Sequence, residues 1–192
     1  KRTVSNLSSK VGLAYNVNER AAVFTNYSQS FKAPDANAML FESPGLFTAN
    51  PDIEPTVANN YEVGYRYNGG KGAESKLSVY RIDSKREILW NTFTFANENF
   101  DTLREGVEVF LKRPVLERVA LTFGYTYSKA IFSAGVYEGK KIPQVPENKY
   151  TAQVDYQISD NLNYRIDWLG VRGQFALNDF NNLYPIEDYN VF

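Results

Sequence analysis

Apolar and polar residues alternate one by one along most of this chain, and a period of two places them on opposite faces of extended strands. From Tyr150, the residues Tyr150, Ala152, Val154, Tyr156 and Ile158 interleave with Thr151, Gln153, Asp155, Gln157 and Ser159. The same rhythm sets Leu162, Tyr164, Ile166 and Trp168 against Asn161, Asn163, Arg165 and Asp167. It sets Val119, Leu121, Phe123, Tyr125 and Tyr127 against Ala120, Thr122, Gly124, Thr126 and Ser128. Tyr61, Val63, Tyr65 and Tyr67 alternate with Glu62, Gly64, Arg66 and Asn68, while Leu7, Val11, Leu13 and Tyr15 face away from Ser8, Lys10, Gly12 and Asn16. A helix would scatter these apolar positions around its whole circumference. Weaker strands are expected at 21–31, 75–90 and 103–112, with a ninth beginning near Ile186; Phe110 interrupts the alternation of Val107, Val109 and Leu111.

The connections between these strands alternate in length. Those at 16–20, 68–74, 113–118 and 159–161 read as tight, and those at 32–56, 91–100, 129–149 and 170–185 as extended. This is an up-and-down meander with unequal ends. Transmembrane barrels have that organisation, with short turns on one side, long loops on the other and strands apolar outside and polar inside. Tyr15, Tyr65, Tyr67 and Tyr156 sit near short turns, and Tyr125, Tyr127 and Tyr150 near long ones, as two interfacial girdles require. Alternation by itself suits a soluble β-sandwich equally well. The connector rhythm, the tyrosines at strand ends and opposite faces rich in Gln, Asn, Asp, Arg and Glu favour the membrane. The expected fold is all-β: a transmembrane antiparallel up-and-down β-barrel, here a partial barrel of about nine strands.

Composition narrows the chemistry. The chain has no Cys and no His, so a Ser-His-Asp triad, a Cys-His pair and a zinc site on imidazole or thiolate are all excluded within it. Only carboxylate, lysine or tyrosine chemistry remains, and no metal site or cofactor is expected. A formal charge of -1 gives no sign of a nucleic-acid partner. The 14 Tyr and 13 Phe coexist with a negative mean hydropathy of -0.42, so aromatic surface shares segments with polar groups. Apolar runs reach only four residues, as at 21–24, far short of the roughly 20 residues a membrane helix needs. No apolar stretch follows Lys1 and Arg2, so a signal peptide is not expected here.

Four short motifs then appear in order. Ser30-Phe31-Lys32-Ala33-Pro34 resembles the Ser-Phe-Arg-Ala-Pro element that ends a barrel strand in TonB-dependent outer-membrane receptors, with Lys in place of Arg. Asn50-Pro51-Asp52-Ile53-Glu54-Pro55, followed by Tyr61-Glu62-Val63-Gly64, resembles the family's Asn-Pro-x-Leu-x-Pro-Glu and Tyr-Glu-x-Gly signature, with Ile53 for Leu and Thr56 where Glu is usual. Gly106-Val107-Glu108 is similar to a Gly-Val-Glu that opens a later strand, and 139–149 is similar to the family's Pro-x-x-Pro loop. The matches span Ser30 to Lys149. The resemblance implies a barrel of about 22 strands around a lumen blocked by an N-terminal plug. The whole of 1–192 is then expected to be a fragment of that barrel domain, with the plug and the final strands elsewhere.

The resemblance further implies residence in the outer membrane of a Gram-negative bacterium, in contact with its lipid, and energised import through the TonB complex, which engages a missing N-terminal part. The expected cargo is a ferric siderophore; cobalamin or another nutrient is the alternative within the family. Phe41, Phe47, Trp90, Phe93, Phe95, Tyr137 and Arg172 are the loop candidates for ligand contact, since aromatic faces suit bulky chelates, with Lys140 a further cation for an anionic one. Glu62, Arg66 and Glu108 are expected to face the lumen. Two rivals remain: an outer-membrane hydrolase using Glu42, Asp52 and Glu54, and a soluble carbohydrate-binding β-domain. The import reading implies no enzyme activity.

Overall fold

A computed structural model describes residues 6–36, 38–43 and 46–192, together with their side chains outside 40–43 and 46–48. Strand follows strand: β1 (Lys10–Asn18), β2 (Ala21–Lys32), β3 (Leu40–Ser43), β4 (Leu46–Ala49), β5 (Thr56–Gly70), β6 (Ala73–Asn91), β7 (Ala96–Leu116), β8 (Val119–Phe132), β9 (Asn148–Ser159), β10 (Leu162–Arg172), β11 (Gln174–Phe175), β12 (Pro185–Ile186) and β13 (Tyr189–Val191). Nine of them form one antiparallel path, β1-β2-β5-β6-β7-β8-β9-β10-β13. Among the described residues β1 and β13 do not pair, so the sheet is an unclosed part of a barrel. The long connections hold the other strands: β3 and β4 form a hairpin between β2 and β5, and β11 pairs β12 between β10 and β13.

The register carries the sequence alternation across the whole sheet. One continuous cross-strand row reads Tyr15, Val23, Tyr65, Leu77, Val109, Tyr125, Tyr150. The faces are inverted relative to a water-soluble sheet. Val63 and Val79, partners in the middle of the sheet, are each 51 % exposed, whereas Ser78 on the opposite face is 1 % exposed. Leaving rows of Val, Leu and Tyr in water would forfeit roughly 1.5–3 kcal/mol per large side chain. Lipid removes that penalty.

Short turns are built by local chemistry. In the β1–β2 turn the Asn18 side-chain oxygen accepts from the Arg20 amide at 2.9 Å. In the β5–β6 turn Gly70 and Gly72 adopt φ of 76° and 79°, a left-handed conformation open to glycine without steric cost. Phe110 does not break the alternation: it lies on the polar face, with Lys76 and Gly124 as its register partners.

Several boundaries differ from the pattern. The strand expected from Leu7 begins at Lys10, and Ile186 belongs to the two-residue β12, so β13 is the ninth strand of the sheet. The connection expected at 91–100 is only a tip at 92–95, because β6 and β7 run on to Asn91 and Ala96. A register shift between Ser84 and Glu87, with Arg86 at φ 57°, reverses the side-chain parity of β6. Beyond it Glu87 and Leu89 share the polar face that Ser78 and Ser84 occupy before it, which hides the strand from a period-two reading.

β6 and β7 have 19 and 21 residues, about twice the 9–11 that cross hydrocarbon, so their hairpin stands well beyond the membrane on the long-loop side. There a small core forms on the polar face. Ala130, Phe132, Ile142 and Phe180 are buried, with Leu89, Phe100, Tyr137 and Val145 packed on them. The 139–149 loop folds back over β8, the Phe132 and Ile142 amides donating to the Lys140 and Ala130 carbonyls at 2.9 and 3.0 Å. It also grips the next loop through the Gln144 amide to the Phe175 carbonyl, 3.0 Å, and the Glu147 amide to the Gly173 carbonyl, 3.2 Å.

Candidate functional site at the loop end

The tip of the β6–β7 hairpin is held by side-chain hydrogen bonds and presents two aromatic rings. Buried Asn91 accepts the Phe93 amide at 2.9 Å and donates to Glu98 at 3.0 Å, and the Thr94 hydroxyl donates to the other Glu98 oxygen at 2.6 Å. Phe93 is 75 % exposed and Phe95 50 %. Phe95 also has φ of 51°, in the left-handed region that disfavours a bulky side chain.

Below the tip, the Asn50-to-Pro55 segment is strapped across β6 and β7. Asn50 donates to the Asn97 carbonyl at 2.9 Å, and Ile53 is buried. Asn99 accepts the Glu54 amide at 2.7 Å and donates to the Glu54 carbonyl at 2.9 Å and the Arg86 carbonyl at 2.8 Å. The Glu54 carboxylate pairs with Arg86 at 2.7 Å, and Thr56 donates to the Arg86 carbonyl at 3.0 Å. The motif is thus a docking strap for the hairpin. Of the acids considered for hydrolysis, Asp52 is exposed and Glu54 is engaged by Arg86; the Glu42 side chain lies outside the described residues.

On the polar face beneath, Arg104 binds both carboxylate oxygens of Glu87, at 2.7 and 2.8 Å, and the Thr102 hydroxyl donates to the same carboxylate. Burial pushes the Glu87 carboxyl up, but the Arg104 hydrogen bonds and charge, with Thr102, outweigh it and leave it below the ordinary range. Asp101 follows the same logic: burial raises it, and the Arg86 amide with the Lys85 ammonium at 3.0 Å lowers it further. Phe100, Phe132, Tyr137 and Phe180 pack mutually with ring centroids 5.1–6.2 Å apart.

The ligand candidates therefore stand in separate places. Phe93 and Phe95 share the hairpin tip, Tyr137 belongs to the aromatic cluster, and half-buried Trp90 faces Asn97 within the β6–β7 ladder. The side chains of Phe41 and Phe47 lie outside the described residues, although their backbones form β3 and β4, and Phe41 pairs with Ala96 beside the tip. Arg172 donates to the Val171 and Tyr189 carbonyls and to Asn190 at 2.7–2.9 Å and sits 3.6 Å from Asp188, which ties β13 to β10. Lys140 is exposed.

Glu62, Arg66 and Glu108 lie on the face opposite the Tyr and Val rows. Glu62 accepts from Lys76 at 2.8 Å and Asn26 at 3.1 Å, and with Arg66 and Phe24 it lines an open hollow of about 380 Å³. Glu108 is exposed, with Ser78 and Thr126 as register partners. The motif glycines leave room on this face. A Cβ on Gly64 would come within 2.4 Å of the Phe24 ring, and one on Gly106 within 2.2 Å of the Tyr127 carbonyl oxygen and 2.6 Å of the Tyr80 ring. Sequence reasoning passed over Asn99, Glu87, Arg104, Phe132 and Phe180. For Phe132 a signal existed, since it continues the even-numbered face of β8; the partners of the others are far apart in sequence.

Apolar rows bare to the outside, an ion-paired opposite face and one long-looped end define this chain as wall and loops of a membrane-spanning β-barrel. Its sequence matches the family model "TonB dependent receptor-like, beta-barrel" over residues 1–192, and the chain belongs to that family. It is therefore part of an outer-membrane protein. Among curated relatives it is 25 % identical over 203 residues to the iron-regulated outer membrane virulence protein of Vibrio cholerae, covering 92 % of this chain and 31 % of that protein. It is 25 % identical over 160 residues to the catecholate siderophore receptor Fiu of Escherichia coli K12, covering 80 % and 21 %. The chain thus spans less than a third of the relatives it matches. Among solved structures, the ferric yersiniabactin uptake receptor FyuA from Yersinia pestis superposes with a TM-score of 0.74 at 19 % identity, over 94 % of this chain and 28 % of that one. The copper transporter OprC shares the fold at a TM-score of 0.71 and 14 % identity, over 96 % and 30 %. Three of these four are named as receptors or transporters.

Proposed function

We propose that this segment supplies barrel wall and extracellular loops to a receptor that imports a ferric siderophore, energised through TonB by a part of the protein outside this chain. The observation that carries the reading is the β6–β7 hairpin. It extends past the membrane band and ends in two exposed, uncharged aromatic rings on a tightly hydrogen-bonded tip, a surface suited to a bulky ring-bearing chelate. The curated relatives, named as an iron-regulated outer-membrane protein and a catecholate siderophore receptor, support the same cargo class. In this reading Phe93 and Phe95 touch ligand, with Phe41, Phe47, Trp90, Tyr137 and Arg172 shaping the surrounding loops. Glu62, Arg66 and Glu108 face the lumen, and the segment performs no chemical step. The alternative cargo is cobalamin or another nutrient taken up by the same family.

Deleting the gene for the intact receptor and supplying single iron chelates tests the reading. Growth and uptake are expected to fail on one ferric siderophore and persist on the others. Unchanged growth and uptake on every chelate and on cobalamin would overturn it.

A further inference from the structure

The aromatic residues of the lipid-side face descend from one row to the next across the sheet. Tyr27 and Tyr61 are register partners with rings 5.2 Å apart. Followed sideways, their row meets Arg81 on β6, Glu105 on β7 and Lys129 on β8. On β8 the aromatics stand lower, at Tyr127 and at Tyr125, which stacks on its partner Tyr150 at 4.9 Å. Trp168 on β10 is lower still. Its row crosses β8 at Phe123, six residues below Lys129.

A fall of six residues over the six gaps between β2 and β10, at roughly 3.3 Å per residue and 4.8 Å per gap, is a slope of about 35°. That is the strand tilt of a transmembrane barrel. Once the strands tilt, the descending tyrosines and tryptophan lie on one level line, the membrane boundary on the long-loop side. The Tyr27 row must then climb above that line as it crosses the sheet. At one residue per gap it lifts Arg81, Glu105 and Lys129 by two, three and four residues, roughly 7–13 Å along the strands, past the hydrocarbon boundary to the headgroup side.

These three residues point to the same side as Val79, Val107 and Tyr127. Arg81 is committed to Glu105 at 2.6 Å and Asp83 at 4.0 Å. Lys129 stands opposite Glu105, exposed, and among the described residues its side chain has no hydrogen bond or ion pair. A lysine on the lipid side, two residues above Tyr127, meets an anionic headgroup sooner than any soluble partner. We propose that Lys129, seated over the Tyr125–Tyr150 ledge and beside the Arg81–Glu105 pair, binds a phosphate of the lipid in the outer leaflet.

The intact receptor, purified in detergent, can be titrated by native mass spectrometry with diphosphorylated lipid A and with the same lipid stripped of phosphate. The wild type is expected to prefer the phosphorylated lipid about fivefold or more, the contribution of one cation near a charged surface. Lys129→Gln is expected to bring the preference close to parity, Lys129→Arg to keep it, and Lys71→Gln, in a short turn at the other end, to leave it unchanged. An unshifted gel mobility between heated and unheated samples would identify any variant that fails to assemble, and Lys129→Thr, a second neutral replacement expected to lose the preference, then carries the comparison with the wild type. A wild type that binds both lipids equally, or a folded Lys129→Gln protein with wild-type preference, would overturn the proposal.

Discussion

The Asn99 side chain grips the backbone of Glu54 at both ends of one residue, accepting its amide at 2.7 Å and donating to its carbonyl at 2.9 Å. One amide side chain thus does what a neighbouring strand does in a ladder. The Glu54–Arg86 pair beside it is half exposed on both partners and adds little, so at Glu54 the strap is held by Asn99 rather than by the ion pair. Asn99→Ala is expected to loosen 50–56 by about 1–3 kcal/mol. The amide of Glu54 should exchange with solvent correspondingly faster in the intact receptor, while β5 amides stay protected. Arg86→Lys should change that rate far less.

Gly106 presents a different constraint. A methyl group there meets first a backbone atom, the Tyr127 carbonyl oxygen at 2.2 Å, and no rotamer change relieves that contact. Gly106→Ala is expected to force β7 and β8 apart at a cost of about 1–3 kcal/mol and to lower the fraction of receptor that migrates as a compact band before heating. At Gly64 the nearest atom is the far end of the Phe24 ring, at 2.4 Å, so pairing Gly64→Ala with Phe24→Leu should recover part of the loss.

The Glu87–Arg104 pair makes the loop end acid-sensitive in a definite direction. Because the folded Glu87 lies below its ordinary value, its contribution is fully present above the unfolded value of about 4.3 and fades as the pH falls through the lower folded one. Asp101, held down by the Arg86 amide and Lys85, acts with the same sign. Hydrogen-exchange protection of 99–104 and 130–132 should be flat from neutral pH to about 5 and then decline. Glu87→Gln should lower the plateau and shrink the decline, leaving the part due to Asp101.

The contrast between wall and loops shows what the sequence could reveal. The wall was legible because one physical rule, period-two burial against lipid, acts on every residue from Tyr61 to Tyr67 or Tyr150 to Ile158 independently of partners. The β6–β7 extension was not, since the irregularity at Lys85 and Arg86 reverses parity and leaves Glu87, Leu89 and Asn91 on the face that Ser84 had occupied. The site contacts were hidden for another reason. Asn99 meets Glu54 and Phe132 meets Phe180 across dozens of residues, and no local pattern encodes such pairs. The motif at 50–55 was visible as a signature, but its physical purpose, a strap over the hairpin, emerges only from the fold.

Phe95 offers the sharpest separation of stability from recognition. A phenylalanine at φ 51° with half its surface exposed is held in a conformation that costs of order 1–3 kcal/mol, while glycine would adopt it freely. If the ring serves ligand contact, Phe95→Gly should leave the receptor as stable or slightly more so, yet weaken siderophore binding. Losing one stacked ring corresponds to about 0.5–1.5 kcal/mol, a few-fold to roughly tenfold in Kd. Phe93→Ser, with no such backbone conformation to relieve, should weaken binding similarly without the gain in stability. Titrating the purified receptor with the cognate ferric siderophore, alongside thermal unfolding of each variant, checks both halves. Unchanged affinity in both variants would remove the hairpin tip from the ligand site while leaving the barrel assignment untouched.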